Sequence, residues 1–124
     1  MMVVFEGKFS KKKEDLICDA LAFGMSQLFP HDSDVYINIH AIATEGLCGD
    51  CFLEDRDINE YTIRLNKKLS PADLTTTVFH ELVHVSQHMD DKVMDTKSPY
   101  WERWQEIEAH SREVELKEKF DARQ

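Results

Sequence analysis

The chain has 124 residues, with 15 Lys and Arg against 24 Asp and Glu, giving a formal net charge of −9. That length suits a single domain spanning residues 1–124, and 42% hydrophobic residues supply a modest core, which excludes wholesale disorder. The acidic balance excludes a binder of nucleic-acid backbones or of anionic lipid, because both need a concentrated basic surface.

The first apolar run, Met1 to Phe5, is broken by Glu6, and Lys11-Lys12-Lys13 follows it. A signal peptide has the opposite order, positive charge first and a longer apolar stretch after. Nowhere do about 18 apolar residues run together, so no membrane helix is expected. Cys18, Cys48 and Cys51 are an odd number and too few for a disulfide framework. A reducing, cytoplasmic setting is the expectation.

Ser10 is placed to cap a helix from about Lys11 to Phe29, with Leu16, Ile17, Ala20, Leu21, Gly24 and Leu28 forming one apolar stripe. Pro30 to Asp34 is a polar turn cluster that ends it. Val35, Ile37 and Ile39 then alternate with Tyr36, Asn38 and His40, the period of a half-buried strand. Leu47 to Leu53 reads as a weaker strand, and Asp55-Arg56-Asp57 with Asn59 as a charged turn. Tyr61, Ile63 and Leu65 alternate with Thr62, Arg64 and Asn66 as a firmer strand.

Ser70, Pro71 and Asp73 spell a helix start: N-cap, first helical position and capping acid. The helix runs to about Met89, with Val78, Leu82, Val85 and Met89 on one face and His80, His84 and His88 on another. After a polar connection, Tyr100 to Phe120 reads as a last helix, with Trp101, Trp104, Ile107, Ser111 and Val114 taken as its inward side. Trp101 and Trp104, with Tyr100, read as core that holds the last helix onto the active one, the alternative being the lining of a cleft for an aromatic or apolar peptide side chain.

The chemistry concentrates in His80-Glu81-Leu82-Val83-His84. Histidines at i and i+4 share a helix face, so both rings can reach one metal ion. Glu81, about 100° around the helix, is placed to act on a water as general base. Two imidazoles, one carboxylate and an open position suit catalytic Zn²⁺. The third ligand is sought among Glu106, Glu108, His110 and His88. His80 and His88 lie about 12 Å apart along the axis, too far for one ion. On the wheel Glu108 borders the expected inward side, Glu106 points away and His110 sits at the opposite edge. Glu108 is therefore the expected ligand, beside His80 and His84. Cys48-Gly49-Asp50-Cys51 has the spacing of half a zinc site but lacks a second half, so two thiols around a turn is the plainer reading.

The segments Thr76 to Gln87 and Glu106-Ile107-Glu108-Ala109-His110 resemble the gluzincin metallopeptidases, most nearly the very small forms and the metallopeptidase-like proteins of phages and prophages. The resemblance covers about Glu60 to Glu115. It implies a glutamate ligand followed by alanine, matched here by Glu108-Ala109. It also implies an acid four residues later that supports a histidine; Arg112 stands there instead, and Glu115 lies one further turn along. The implied fold is α+β and zincin-like: a small, mainly antiparallel sheet, an N-terminal helix, the His-Glu-x-x-His helix and a C-terminal helix carrying the glutamate. The strand Tyr61 to Leu65 would be an edge strand that pairs with an extended peptide. Larger members add a tyrosine or histidine donor from a further subdomain; here Tyr61, Tyr100, His88, His110 and Arg112 are the candidates.

The expected function is zinc-dependent hydrolysis of a peptide or protein substrate, with Glu81 as base. The alternatives are a non-catalytic metal-binding module that docks on a protein partner, and hydrolysis of a non-peptide amide.

Overall fold

The structure, a computed structural model, describes residues 2–29 and 34–123. The Ser10 hydroxyl accepts from the Lys13 backbone N–H at 3.2 Å and opens α1, Lys11–Leu28, which stops where Phe29 turns extended. Of the turn expected at Pro30 to Asp34, all but Asp34 lies outside the described residues. Four strands form one sheet: β1 Met2–Glu6, β2 Tyr36–Ile42, β3 Gly49–Asp55 and β4 Glu60–Asn66, in the spatial order β1-β2-β4-β3.

The fold is α+β, with the expected helices, but the sheet is mixed rather than mainly antiparallel. β1 and β4 both run parallel to β2, and only β3 and β4 are antiparallel. The connections explain this. α1 carries the chain back from β1 so that β2 starts at the same end, and the β3 segment intervenes before β4 returns alongside β2. Only the tight turn at Arg56 to Asn59, where Asn59 has φ +59°, makes a hairpin. β4 is therefore interior, not an edge, and β3 is the outer strand on its side. β1 is a strand that the local sequence does not reveal, because its partner is β2, about 34 residues away in register (Met2 beside Tyr36).

Ile37, Ile39, Tyr61, Ile63 and Leu65 point inward at alternate positions and meet Ile17, Ala20 and Leu21 of α1. They also meet α2, Pro71–Met89, through Leu74, Val78, Phe79, Leu82 and Val85. Gly24 lets α1 approach closely, since a Cβ there would lie 2.6 Å from Leu82 Cδ1. At the far end Phe120 packs edge to face on Phe23 and Phe79, whose own rings are tilted by 59°.

The last helical stretch is not continuous. A 3-10 turn, Tyr100–Glu102, ends where Arg103 is extended, and α3 runs Trp104–Asp121. Its buried residues are Gln105, Ala109, Leu116 and Phe120, almost opposite the expected inward side. Ile107 and Val114 are 55% and 57% exposed and Trp101 is 72% exposed, so Trp101 is not core. Trp104 lies at the rim, its Nε1–H donating to Val93 O at 3.0 Å. α2 presents polar histidines to α3, and the helix turns carboxylates rather than its aliphatic residues toward them. No described helix is long and apolar enough to cross a membrane.

Candidate metal centre

α2 is fixed at its start, where the Ser70 hydroxyl accepts from the Asp73 N–H at 3.2 Å and Pro71 takes the first turn. Packed between the sheet and two helices, it buries His80 and Glu81 along with its apolar face. His80 and His84, one turn apart, bring their Nε2 atoms to 3.2 Å. The carboxylate facing both belongs to Glu106, with Oε1 3.0 Å from His80 Nε2 and 3.2 Å from His84 Nε2.

The expected third ligand is thus corrected. Glu108 is placed on the other flank of α3, where its Oε1 accepts from Gln87 Nε2 at 3.0 Å and it lies near Lys92. It stands behind the cluster rather than in it. With Ala109 inward, Glu106 and Glu113, two turns apart, line one flank of α3 and Glu108 the other. With Ile107 and Val114 facing solvent, the helix lies rolled nearly half a turn from the orientation that its apolar residues suggest.

The rings are held from behind as well. His80 Nδ1 donates to Glu113 Oε1 at 3.2 Å. His84 Nδ1 faces Gln87 Oε1 at 2.8 Å. The Gln87 amide is fixed by its other contacts: its NH₂ donates to Gln105 O and to Glu108 Oε1, both acceptors, so its carbonyl must face His84. Both histidines therefore carry their Nδ1 protons outward and turn Nε2 toward the same point. This is the outer support that metal-binding histidines use. Glu113 was not anticipated; the supporting role was sought at position 112 or 115. Glu115 is instead exposed and pairs with Lys119.

A tetrahedral Zn²⁺ with ligand bonds of about 2.0–2.1 Å separates its ligands by about 3.3 Å. The observed 3.0–3.2 Å spacings of two imidazoles and a carboxylate fit that donor set. His80, His84 and Glu106 form a cluster geometrically able to hold a metal ion. The architecture is zinc-protease-like. Comparisons with protein families, with curated proteins and with solved structures return no match to this chain.

The electrostatics point the same way. Burial disfavours charge on His80, yet the Glu106 and Glu113 carboxylates outweigh it and raise its pKa to about 10. His84 is raised too, against its burial, by Glu106 and Gln87. Burial alone would raise Glu106, but the hydrogen bonds from the two histidines hold it well below the usual carboxylate range. The cluster is built to hold positive charge.

Glu81 is 4% exposed, and its carboxylate has no hydrogen-bond partner among the described residues. Burial raises its pKa, the two histidines pull it back, and the balance is about 7. It opens into a cleft of about 360 Å³ that also touches Gly49 and Cys51 of β3, the two histidines, Glu106 and Tyr100. His88 reaches the cleft but turns its ring toward Tyr61, with centroids 6.1 Å apart. His110 is no ligand of the cluster around Glu106: its Nδ1 donates to Glu113 at 2.6 Å and its Nε2 faces the Tyr100 hydroxyl at 3.0 Å. Tyr61 donates its hydroxyl to Asn59 at 2.8 Å. Cys18, Cys48 and Cys51 are free, and burial pushes the Cys51 thiol well up.

Proposed function

We propose that the protein is a zinc-dependent peptidase of gluzincin type, akin to the very small phage-associated forms, with His80, His84 and Glu106 as ligands. The observation that carries this is the convergence of two Nε2 atoms and one carboxylate within 3.0–3.2 Å, beside the buried Glu81. Zn²⁺ bound there supplies a Lewis acid that activates water and polarises a carbonyl. Glu81, buried beside the two histidines, would take a proton from the attacking water and return it to the leaving amine. A buried acid with no other partner has no structural task, which favours a catalytic centre over a structural one.

The substrate is an extended peptide. β3 is an outer strand, and its residues Gly49, Asp50 and Cys51 line the cleft, so main-chain pairing along β3 would carry a peptide past Glu81. This moves the docking strand from β4, expected from the resemblance, to β3. The free cysteines support a reducing, cytoplasmic setting.

Elemental analysis of the purified protein should find one zinc per chain, lost in Glu106→Gln and kept in Glu108→Gln. A peptide library should be cut by the parent and not by Glu81→Gln. Absence of zinc, or full zinc in Glu106→Gln, would sink the ligand set. Zinc without cleavage of any peptide would replace the peptidase reading with a metal-binding module or a hydrolase of non-peptide amides.

A further inference from the structure

The His80 ring meets a carboxylate at each of its nitrogens, Glu106 at Nε2 and Glu113 at Nδ1. Glu113 is itself shared, with Oε1 3.2 Å from His80 Nδ1 and 2.6 Å from His110 Nδ1. His80, His110 and Glu113 thus repeat, behind the His80 ring, the donor set that His80, His84 and Glu106 form in front of it. One ligating atom from each of the three lies within 4.8 Å of the others. Support of His80 accounts for Glu113 but leaves His110 without a task, although its ring stands only 4.6 Å from that of His80.

We propose that His80, His110 and Glu113 hold a second Zn²⁺, so that the His80 ring bridges two ions, Nε2 to the first and Nδ1 to the second. The inference rests on the ligand set proposed above and not on peptide cleavage. His110 is already turned for this task. The Tyr100 hydroxyl meets the Glu106 carboxylate, which can only accept, so its oxygen is left to accept from His110 Nε2–H at 3.0 Å. That bond marks Nδ1 as the ligating nitrogen, and it is the outer hydrogen bond that metal-binding histidines make. Trp101, stacked on the ring at 4.7 Å and 29°, fixes its plane. His110 is the most exposed of the three side chains, and neither it nor Glu113 lines the cleft beside Glu81, so the second ion has its own entry.

The ion takes the place of the protons that the two Nδ1 atoms share with Glu113. Both protons leave to solvent, His80 becomes an imidazolate between two cations, and His110 becomes a neutral ring bound through Nδ1. Two dications then face the carboxylates of Glu81, Glu106 and Glu113 and one imidazolate, so the buried pair carries no net charge. Zinc bonds of about 2.0–2.1 Å place ligands about 3.3 Å apart, close to the 3.2 Å spacing of His80 and Glu113. The 2.6 Å contact of His110 has to open by a fraction of an ångström, which a glutamate side chain supplies. The two ions repel each other across the ring. The second site therefore fills after the first, when zinc exceeds one per chain.

The test dialyses ¹⁵N-labelled parent and His110→Phe against zinc, from one equivalent to a large excess, and reads both elemental content and the imidazole ¹H–¹⁵N spectrum. The parent should reach two ions per chain and His110→Phe one, since Phe keeps the ring under Trp101 and removes the ligand. With one ion bound, the parent should show an N–H proton on His80 Nδ1. The second ion should abolish that signal and give both His80 nitrogens metal-bound shifts, whereas in His110→Phe the N–H should persist at every zinc level. A parent that stops at one ion, or His110→Phe that takes up as many ions as the parent, overturns the proposal. So does a His80 N–H signal that survives the second ion, because that ion then sits elsewhere. Should His110→Phe lose its circular dichroism, the His80 signal of the parent decides alone. The first ligand set fails separately: an ion kept in Glu106→Gln but lost in His110→Phe removes that set and keeps this one. A single ion lost in Glu106→Gln and kept in His110→Phe, with no second in the parent, does the reverse.

Discussion

Replacing Glu81 with Gln should make the metal-free protein more stable, because the native position is expensive to keep ionised. Glu81 is 4% exposed with no hydrogen-bond partner among the described residues, and its pKa rises from 4.5 to about 7 on folding. A group whose folded pKa is raised contributes stability that is fully present below its unfolded pKa and is lost as pH rises through the folded one. For Glu81 that window runs from about pH 4.5 to about pH 7. At 1.36 kcal/mol per pH unit, the loss above pH 7 is about 3 kcal/mol. Gln has nearly the shape of the protonated acid and never ionises, so Glu81→Gln escapes the loss. In chelator-treated protein, urea unfolding should show a gain of about 3 kcal/mol at pH 8, or roughly 10 °C in Tm for a chain of this size. The gain should vanish at pH 4.5. With zinc added it should shrink at pH 8, because a nearby cation favours the carboxylate. Equal stability of parent and variant at pH 8 without metal, or a gain at pH 4.5 as large as at pH 8, would refute the reasoning.

Three further outcomes are expected. Glu113→Gln should weaken zinc binding by roughly 10–100-fold, read by competition with a chromophoric chelator, because it removes the carboxylate that orients His80 Nδ1; unaltered affinity would leave Glu113 without that role. Zinc affinity should rise about tenfold per pH unit from pH 6 to 8, with proton release seen by calorimetry in different buffers. The sign follows from His80, which keeps its proton up to about pH 10 in the metal-free protein, so metal and proton compete for one lone pair. A pH-independent affinity would contradict this. Gly49→Ala should cost about 1–3 kcal/mol in urea unfolding, since its Cβ would lie 2.6 Å from Arg64 backbone O and 2.8 Å from Thr77 Cγ2; an unchanged midpoint would mean that β3 shifts without cost.

α2 was legible because its information is local: Ser70 and Pro71 mark its start, and the i, i+4 histidines share a face whatever packs against them. The strands β2 and β4 were legible for a similar reason, since Ile37, Ile39, Tyr61, Ile63 and Leu65 alternate and are all buried. β1 was not, because five residues with one acid in them become a strand only beside β2. The direction of β4 relative to β2 is likewise a property of the connections, not of either segment. On α3 the usual inference from apolar residues to the inward face failed. Ile107 and Val114 form an apolar stripe that faces solvent, while the side packed on α2 carries Gln105, Glu106 and Glu113. A usable signal was present: two glutamates seven residues apart line one flank, and one histidine ring has two nitrogens to satisfy. Matching polar groups across the two helices would have selected Glu106 over Glu108.

The two halves of α3 are held to the body by different forces. Leu116 and Phe120 are fastened by exclusion from water, and Phe120 wedges between Phe23 and Phe79. Nearer the start, Glu106 and Glu113 are fastened to His80 and His84 by bonds that a proton or a cation can make or break. The helix is thus a lever with a greased pivot at Phe120 and an ionic catch at Glu106. Changes of acidity or metal supply act on the catch and leave the pivot alone.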